Sequence, residues 1–197
     1  MKRFLKVVVL ALVIMSCDPT YIPNPLGFNE IKLPNHSYDL YADVSKPYTF
    51  EKNKVAKVAP YVTELISEED DYVKVVYPTL GAAIWVTYKH INNSLDTLNS
   101  YISNSFRLAD GHNIKASGID SEVLRTKKGQ YATSIILEGD VSSQYQFYVH
   151  DSTSNFMRFA LYFETATKND SLAPVIDYIK EDMGRILASL EWRENAE

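Results

Sequence analysis

Cysteine is scarce in this sequence: among 197 residues there is one, Cys17. A lone cysteine forms no internal bridge, so no disulfide framework is predicted. Catalytic signatures are scarce as well. No Gly-rich phosphate loop, CxxC pair or HExxH occurs, which removes the nucleotide-binding, dithiol and metalloprotease readings. The four histidines, His36, His90, His112 and His150, are scattered, and none has metal-ligand spacing with another. No apolar run reaches the ~20 residues that a membrane-spanning helix needs. Positive charge is not in excess either, the formal net charge being −5.

What is present begins at the N-terminus. The cations Lys2, Arg3 and Lys6 precede an apolar run from Val7 to Met15, then small Ser16, then Cys17. That order is signal-peptide architecture. The segment Ile14-Met15-Ser16-Cys17 resembles a lipobox, in which the cysteine is thioether-linked to diacylglycerol before cleavage. Residues 1–16 are therefore predicted to be a lipoprotein signal peptide, with Cys17 the acylated N-terminus. Each buried CH₂ of an acyl chain adds about 0.8 kcal/mol of membrane affinity, so several chains anchor the protein stably. Loss of the three signal cations takes the mature charge from −5 to −8. So acidic a domain is a poor ligand for nucleic acid or for an anionic bilayer surface. The membrane link is covalent, not electrostatic.

Pro19, Pro23, Pro25 and Gly27 follow Cys17 closely, and residues 17–30 read as the acylated cysteine and a semi-rigid Pro-rich tether. Residues 31–197 then form one α+β domain. Its composition, 46% hydrophobic with 14 Tyr, 8 Phe and 2 Trp, argues for a packed core. Strands are predicted at Tyr48-Thr49-Phe50, Tyr72 to Tyr77, Ala82 to Lys89, about 114–124 and 130–138, the last two separated by Lys127-Lys128-Gly129. Residues 144–163 read as a hairpin: Tyr145, Phe147 and Val149 alternate, a polar turn follows, and Met157, Phe159, Leu161 and Phe163 alternate again. Ser94 is placed as the cap of a helix with Leu95, Leu98, Ile102, Phe106 and Ala109 at helical spacing, ended by Gly111. The strongest helix carries one stripe of Leu172, Val175, Ile176, Ile179, Met183, Ile186, Leu187 and Leu190. Asp170 or Ser171 is its expected cap, with Pro174 in its first turn. Strands in meander order with two helices predict an antiparallel sheet covered by helices.

Two polar clusters invite chemistry. His150-Asp151-Ser152 holds triad residue types, but consecutive strand residues point to opposite faces, so no relay is expected. Glu68-Glu69-Asp70-Asp71 lacks the alternating spacing of a calcium loop and reads as a solvated turn. No catalytic residue, cofactor or metal ligand is assigned. The tyrosines either fill the core or form an exposed contact surface, and periodicity does not separate the two.

Several stretches together resemble the gliding-motility lipoprotein GldD family of the Bacteroidetes. They are Tyr21 to Pro25 with Gly27, Pro47 to Phe50, Tyr77-Pro78, Ile84 to Lys89, Gln146-Phe147, Asp151 to Thr153, Phe156 to Phe163, Asp170 to Val175, Ile179 to Asp182, and Trp192. The resemblance implies a non-enzymatic accessory role in gliding motility and the linked type IX protein secretion. Implied partners are other envelope lipoproteins and components of that machine. The implied location is the cell envelope, at the outer membrane facing the periplasm, with the inner membrane as the alternative. An O-glycosylation motif of that bacterial group (Asp, then Ser or Thr, then an apolar residue or Thr) fits at Asp96-Thr97-Leu98, Asp151-Ser152-Thr153 and Asp170-Ser171-Leu172. Ser152 is the best acceptor of the three, since a hairpin turn is exposed. The hairpin followed by a long C-terminal helix also looks like the PsbP-like α/β/α sandwich. A second functional reading stays open, a ligand-binding lipoprotein holding a small molecule or glycan between sheet and helix. A wet pocket with converging polar groups would favour it, whereas a closed core with an aromatic surface patch would favour the accessory role.

Overall fold

The computed structural model describes residues 31–61, 71–111, 116–164 and 169–193. The signal segment, Cys17 and the tether lie outside them. In chain order the elements are β1 (Tyr38–Tyr41), β2 (Tyr48–Asn53), β3 (Lys57–Pro60), β4 (Asp71–Tyr77), β5 (Ala82–His90), α1 (Leu95–Asp110), β6 (Ala116–Arg125), β7 (Tyr131–Gly139), β8 (Tyr145–His150), β9 (Asn155–Phe163), α2 (Asn169–Ser189) and β10 (Glu191–Trp192). Every predicted strand and both helices are present. β1, β3 and β10, two to four residues each, are the additions, too short to show a period.

Seven strands form one antiparallel sheet in the order β3-β4-β5-β9-β8-β7-β6, and β1-β2-β10 form a smaller one. The order is two meanders joined at the centre. β3-β4-β5 runs inward from one edge, α1 carries the chain to the far edge, and β6 to β9 return until β9 lies against β5. Trp85 then faces Ala160 and Val86 faces Phe159 across the seam.

Alternation along each strand separates two faces. The first carries Val73, Val75, Ile84, Val86, Phe147, Val149, Met157, Phe159 and Leu161, closed over by α2 and by Tyr48 and Phe50 of β2. Phe147 stacks on Phe159 at 4.5 Å between ring centres, and Phe50 meets Phe159 edge-on at 6.1 Å. On α2, Val175, Ile179, Met183 and Ile186 are buried as the stripe predicts, as is Leu190 just beyond its end. Each such side chain contributes about 1.5–3 kcal/mol. The second face carries Ile135, Leu137, Tyr148 and Phe156 under Leu98 and Ala109 of α1. With a helix on each face, the fold is an α+β sandwich of α/β/α type.

Helix ends depart from expectation in two places. Ser94 caps α1 as predicted, its Oγ accepting from the Thr97 N–H at 3.2 Å. Gly111, however, closes α1 in right-handed geometry at φ −56°, so its freedom at positive φ is unused. α2 begins at Asn169, which puts Asp170 and Ser171 inside the first turn and Pro174 in the second. Leu95 was expected on the apolar stripe but is 70% exposed. It sits at the first helical position, before the turn that meets the sheet.

Candidate interaction surface

The second sheet face is covered unevenly. α1 lies over β8 and β9, and no described element lies over β3, β4 and β5 on that side. Strand register brings Lys57 and Ala59, Lys74 and Val76, Ala83, Trp85 and Thr87, then Arg158, Ala160 and Tyr162 to this open half. Lys74 Nζ sits 4.0 Å from the centre of the Trp85 ring and 4.3 Å from that of Tyr61. The Tyr61 and Trp85 rings lie 4.6 Å apart, and Trp85 and Tyr162 lie 5.4 Å apart. An ammonium between two ring faces is held by their quadrupoles. Beside it a hollow of about 530 Å³ is lined by Lys74, Val76, Ala83, Trp85 and Tyr162, with Glu164 at its rim. Arg158 donates from Nη2 to Gln146 Oε1, and Gln146 in turn donates to Ser143 Oγ at 3.0 Å. The buried Arg158 Nε has no acceptor. Lys57, Lys74 and Arg158 thus put three cations on this half, and its strand positions carry no Asp or Glu. That is an inversion of charge for so acidic a chain.

A second polar cluster lies under α2. Asp182 is completely buried. Its carboxylate accepts from Asn53 Nδ2 at 3.1 and 3.0 Å, from Tyr77 Oη at 2.9 Å and from His36 Nδ1 at 2.7 Å. His36 also stacks on Tyr178 at 4.2 Å, and its Nε2 meets Glu181 at 3.2 Å. Burial, with the Asp182 charge behind it, pushes the Tyr77 hydroxyl well above the usual phenol range. Each of these groups is engaged inside the cluster, Asn53 also donating to Tyr178 Oη at 2.8 Å, and none of them is free to attack or to ligate. It is a clamp that ties residue 36 to α2. Sequence reading missed it, although the signal was there: Asp182 falls three residues after Ile179, on the apolar stripe.

The clusters singled out in the sequence resolve differently. Asp151 bonds its own turn, its Oδ1 accepting from the N–H groups of Thr153, Ser154 and Asn155 at 2.9, 2.8 and 3.0 Å. Burial alone would raise this carboxyl, yet the three amides hold it below the usual range. Ser152 Oγ comes within 3.3 Å of His150 Nδ1, but Asp151 is committed to the turn and no relay forms. Ser152 itself is exposed, with φ +73°. Thr97 lies half-buried in the first turn of α1. Of the acidic run only Asp71 is described: it starts β4, where Tyr48 Oη donates to it at 2.5 Å and Lys46 pairs with it. Among the described residues no three acids, histidines or cysteines gather as a metal site. None of the described helices is long and apolar enough to cross a membrane. Between α2 and the ends of β7 and β8 a groove of about 460 Å³ is lined by Glu138, Asp140, Asp177 and Lys180 beside Ile136 and Ile176.

The described residues define a class of protein, an α+β sandwich domain with one closed face and one half-open face that is aromatic and cationic. The chain belongs to the gliding motility lipoprotein GldD family, whose model matches residues 18–192. Among solved structures, cyanobacterial PsbP from Synechocystis sp. PCC 6803 is 13% identical with a TM-score of 0.43, over 86% of this chain and 99% of that one. The Ran-binding protein Mog1p of Saccharomyces cerevisiae is 6% identical with a TM-score of 0.47, over 80% and 96%. Curated proteins give no significant match.

Proposed function

We propose that the protein is a lipid-anchored, non-enzymatic accessory of the gliding and type IX secretion machinery. In this reading Cys17 carries the lipid, the tether lifts the domain from the periplasmic leaflet of the outer membrane, and another envelope component docks on the open half of the sheet. The observation that carries it is the Tyr61–Lys74–Trp85–Tyr162 array, aromatic and cationic on an acidic chain. Tyr and Trp, the aromatic members of the array, are enriched where proteins meet. The closed core on the first face and the family membership support the same reading.

Deleting the gene and complementing it with wild type or Cys17→Ser tests the proposal. Deletion is expected to abolish gliding and secretion, wild type to restore both, and Cys17→Ser to fail while losing palmitate label, since only a thiol forms the thioether. A deletion strain that glides and secretes normally sinks the proposal.

Ser152 is also proposed as an O-glycan acceptor. Its exposure at a turn whose bonds are made by Asp151, not by Ser152, leaves the hydroxyl accessible. The intact mass of the protein from its native host is expected to exceed that of the lipidated polypeptide by a glycan, and Ser152→Ala to remove the excess. A mass equal to the lipidated chain alone rejects it.

A further inference from the structure

The two outer edges of the large sheet are unlike. β3 has four residues and ends in Pro60, a blunted edge of the usual kind. β6 has 10 residues, contains neither proline nor lysine, and among the described residues pairs only with β7. The backbone polarity of β6 follows from two contacts. The Ser121 N–H donates to its neighbour's side chain, Asp120 Oδ1, at 2.8 Å, so it points away from β7. The Glu122 carbonyl points toward β7, with Ser134 Oγ at 3.5 Å. Inward and outward groups alternate along an antiparallel strand. Ile119, Ser121 and Val123 therefore present their N–H and C=O groups outward. Side chains sort by the same alternation: Ile119, 40% exposed, and Val123, 75% exposed, lie on the α1 side, and exposed Asp120 and Glu122 lie on the α2 side.

We propose that the outer edge of β6 receives an extended segment of a partner protein in which basic and apolar residues alternate. Added as an eighth strand, the segment takes the outward backbone bonds, lays apolar side chains over Ile119 and Val123, and sets cations beside Asp120 and Glu122. Asp120 makes the choice of partner selective. An incoming strand must take the Ser121 N–H from the Asp120 carboxylate, and a cation on that strand then satisfies the released oxygens. A neutral or acidic strand leaves them unpaired. A second copy of this chain is a poor occupant. Antiparallel pairing of two β6 strands about Ser121 sets Asp120 against Glu122 twice, and parallel pairing in register stacks each acid on itself.

The test uses the full-length protein in detergent and a fluorescein-labelled, end-capped octapeptide of alternating lysine and valine, read by anisotropy. A glutamate–valine counterpart and a block peptide of the lysine–valine composition serve as controls. The alternating cationic peptide is expected to bind, and both controls to bind at least about tenfold more weakly. Ser121→Pro removes an outward N–H that no β7 group accepts and that is engaged only by the exposed Asp120 side chain, so its melting temperature is expected to hold while affinity falls about tenfold, as for a lost hydrogen bond in a charged setting. The Asp120→Asn, Glu122→Gln double variant, altered at exposed positions, is expected to lose the preference for cationic over acidic peptide. Equal binding of all three peptides, no binding, or unchanged affinity in Ser121→Pro overturns the proposal. So does a dimer of the wild type that Ser121→Pro dissociates, which would make a second copy the occupant.

Discussion

A carboxylate in a protein interior is tolerated only when its oxygens are engaged, because an unpaired buried charge costs several kcal/mol. Asp182 meets this condition with bonds from Asn53, Tyr77 and His36. Removing it strands the Tyr77 hydroxyl and one N–H of the Asn53 amide, whose other N–H reaches Tyr178 Oη at 2.8 Å, in a place water does not reach. Asp182→Ala is therefore expected to destabilise the protein by about 3–5 kcal/mol, measured by urea unfolding. Glu181→Ala, on the same helix with its side chain 67% exposed, is expected to shift stability by less than about 0.5 kcal/mol. Equal effects would show that the clamp is not structural. At this scale the sequence is only partly readable. Asp151 and Ser94 act locally, on amides within four residues, and their roles follow from residue type. Asp182 joins partners 105 to 146 residues away, and only the folded chain brings them together.

Elements were more legible than their surroundings. Alternation located β4, β5, β8 and β9, and helical spacing located both helices, because each of these has a face that must be buried. One expectation about the hairpin was incomplete. Tyr145, Phe147 and Val149 mark an inner face, yet Gln146 and Tyr148 are also buried, at 0% and 5% exposure. The sheet is covered on both sides at β8, and a strand so placed hides its second face too. The open half at Trp85 was not legible for the converse reason, since alternation shows which residues share a face but not whether a layer lies over it. On α2 the stripe and the structure agree. Ile179→Asp, at a fully buried position, is expected to lower stability by more than about 4 kcal/mol or to prevent folding, as seen in the thermal midpoint. An unchanged midpoint would place α2 off the sheet.

For the whole molecule the decisive asymmetry is one closed face and one half-open face. If the open half is where the machinery docks, charge there should matter to function more than to folding. Lys74→Glu loses two contacts with aromatic rings, worth about 1–2 kcal/mol together. It is expected to leave the domain folded by circular dichroism and to abolish gliding in the complemented deletion strain. Normal gliding with Lys74→Glu would move the contact to another surface.

The route of the chain through the sheet also sets a timetable for folding. The central seam pairs residues 82–90 with 155–163, β10 pairs Glu191 and Trp192 with Thr49 and Tyr48 near the start, and His36 waits for Asp182. A ribosome delivers β2 to β5 first, and the inner edge of β5 has no partner until β9 appears. Contacts of such long sequence separation form slowly, because loop closure must precede the pairing that rewards it. A chain shortened before residue 163 cannot close the seam at all. One lacking only the last few residues of α2 and β10 leaves Tyr48 and Phe50 without their cover. Native structure is thus withheld until synthesis is nearly complete, and the polypeptide stays threadable for almost its whole length.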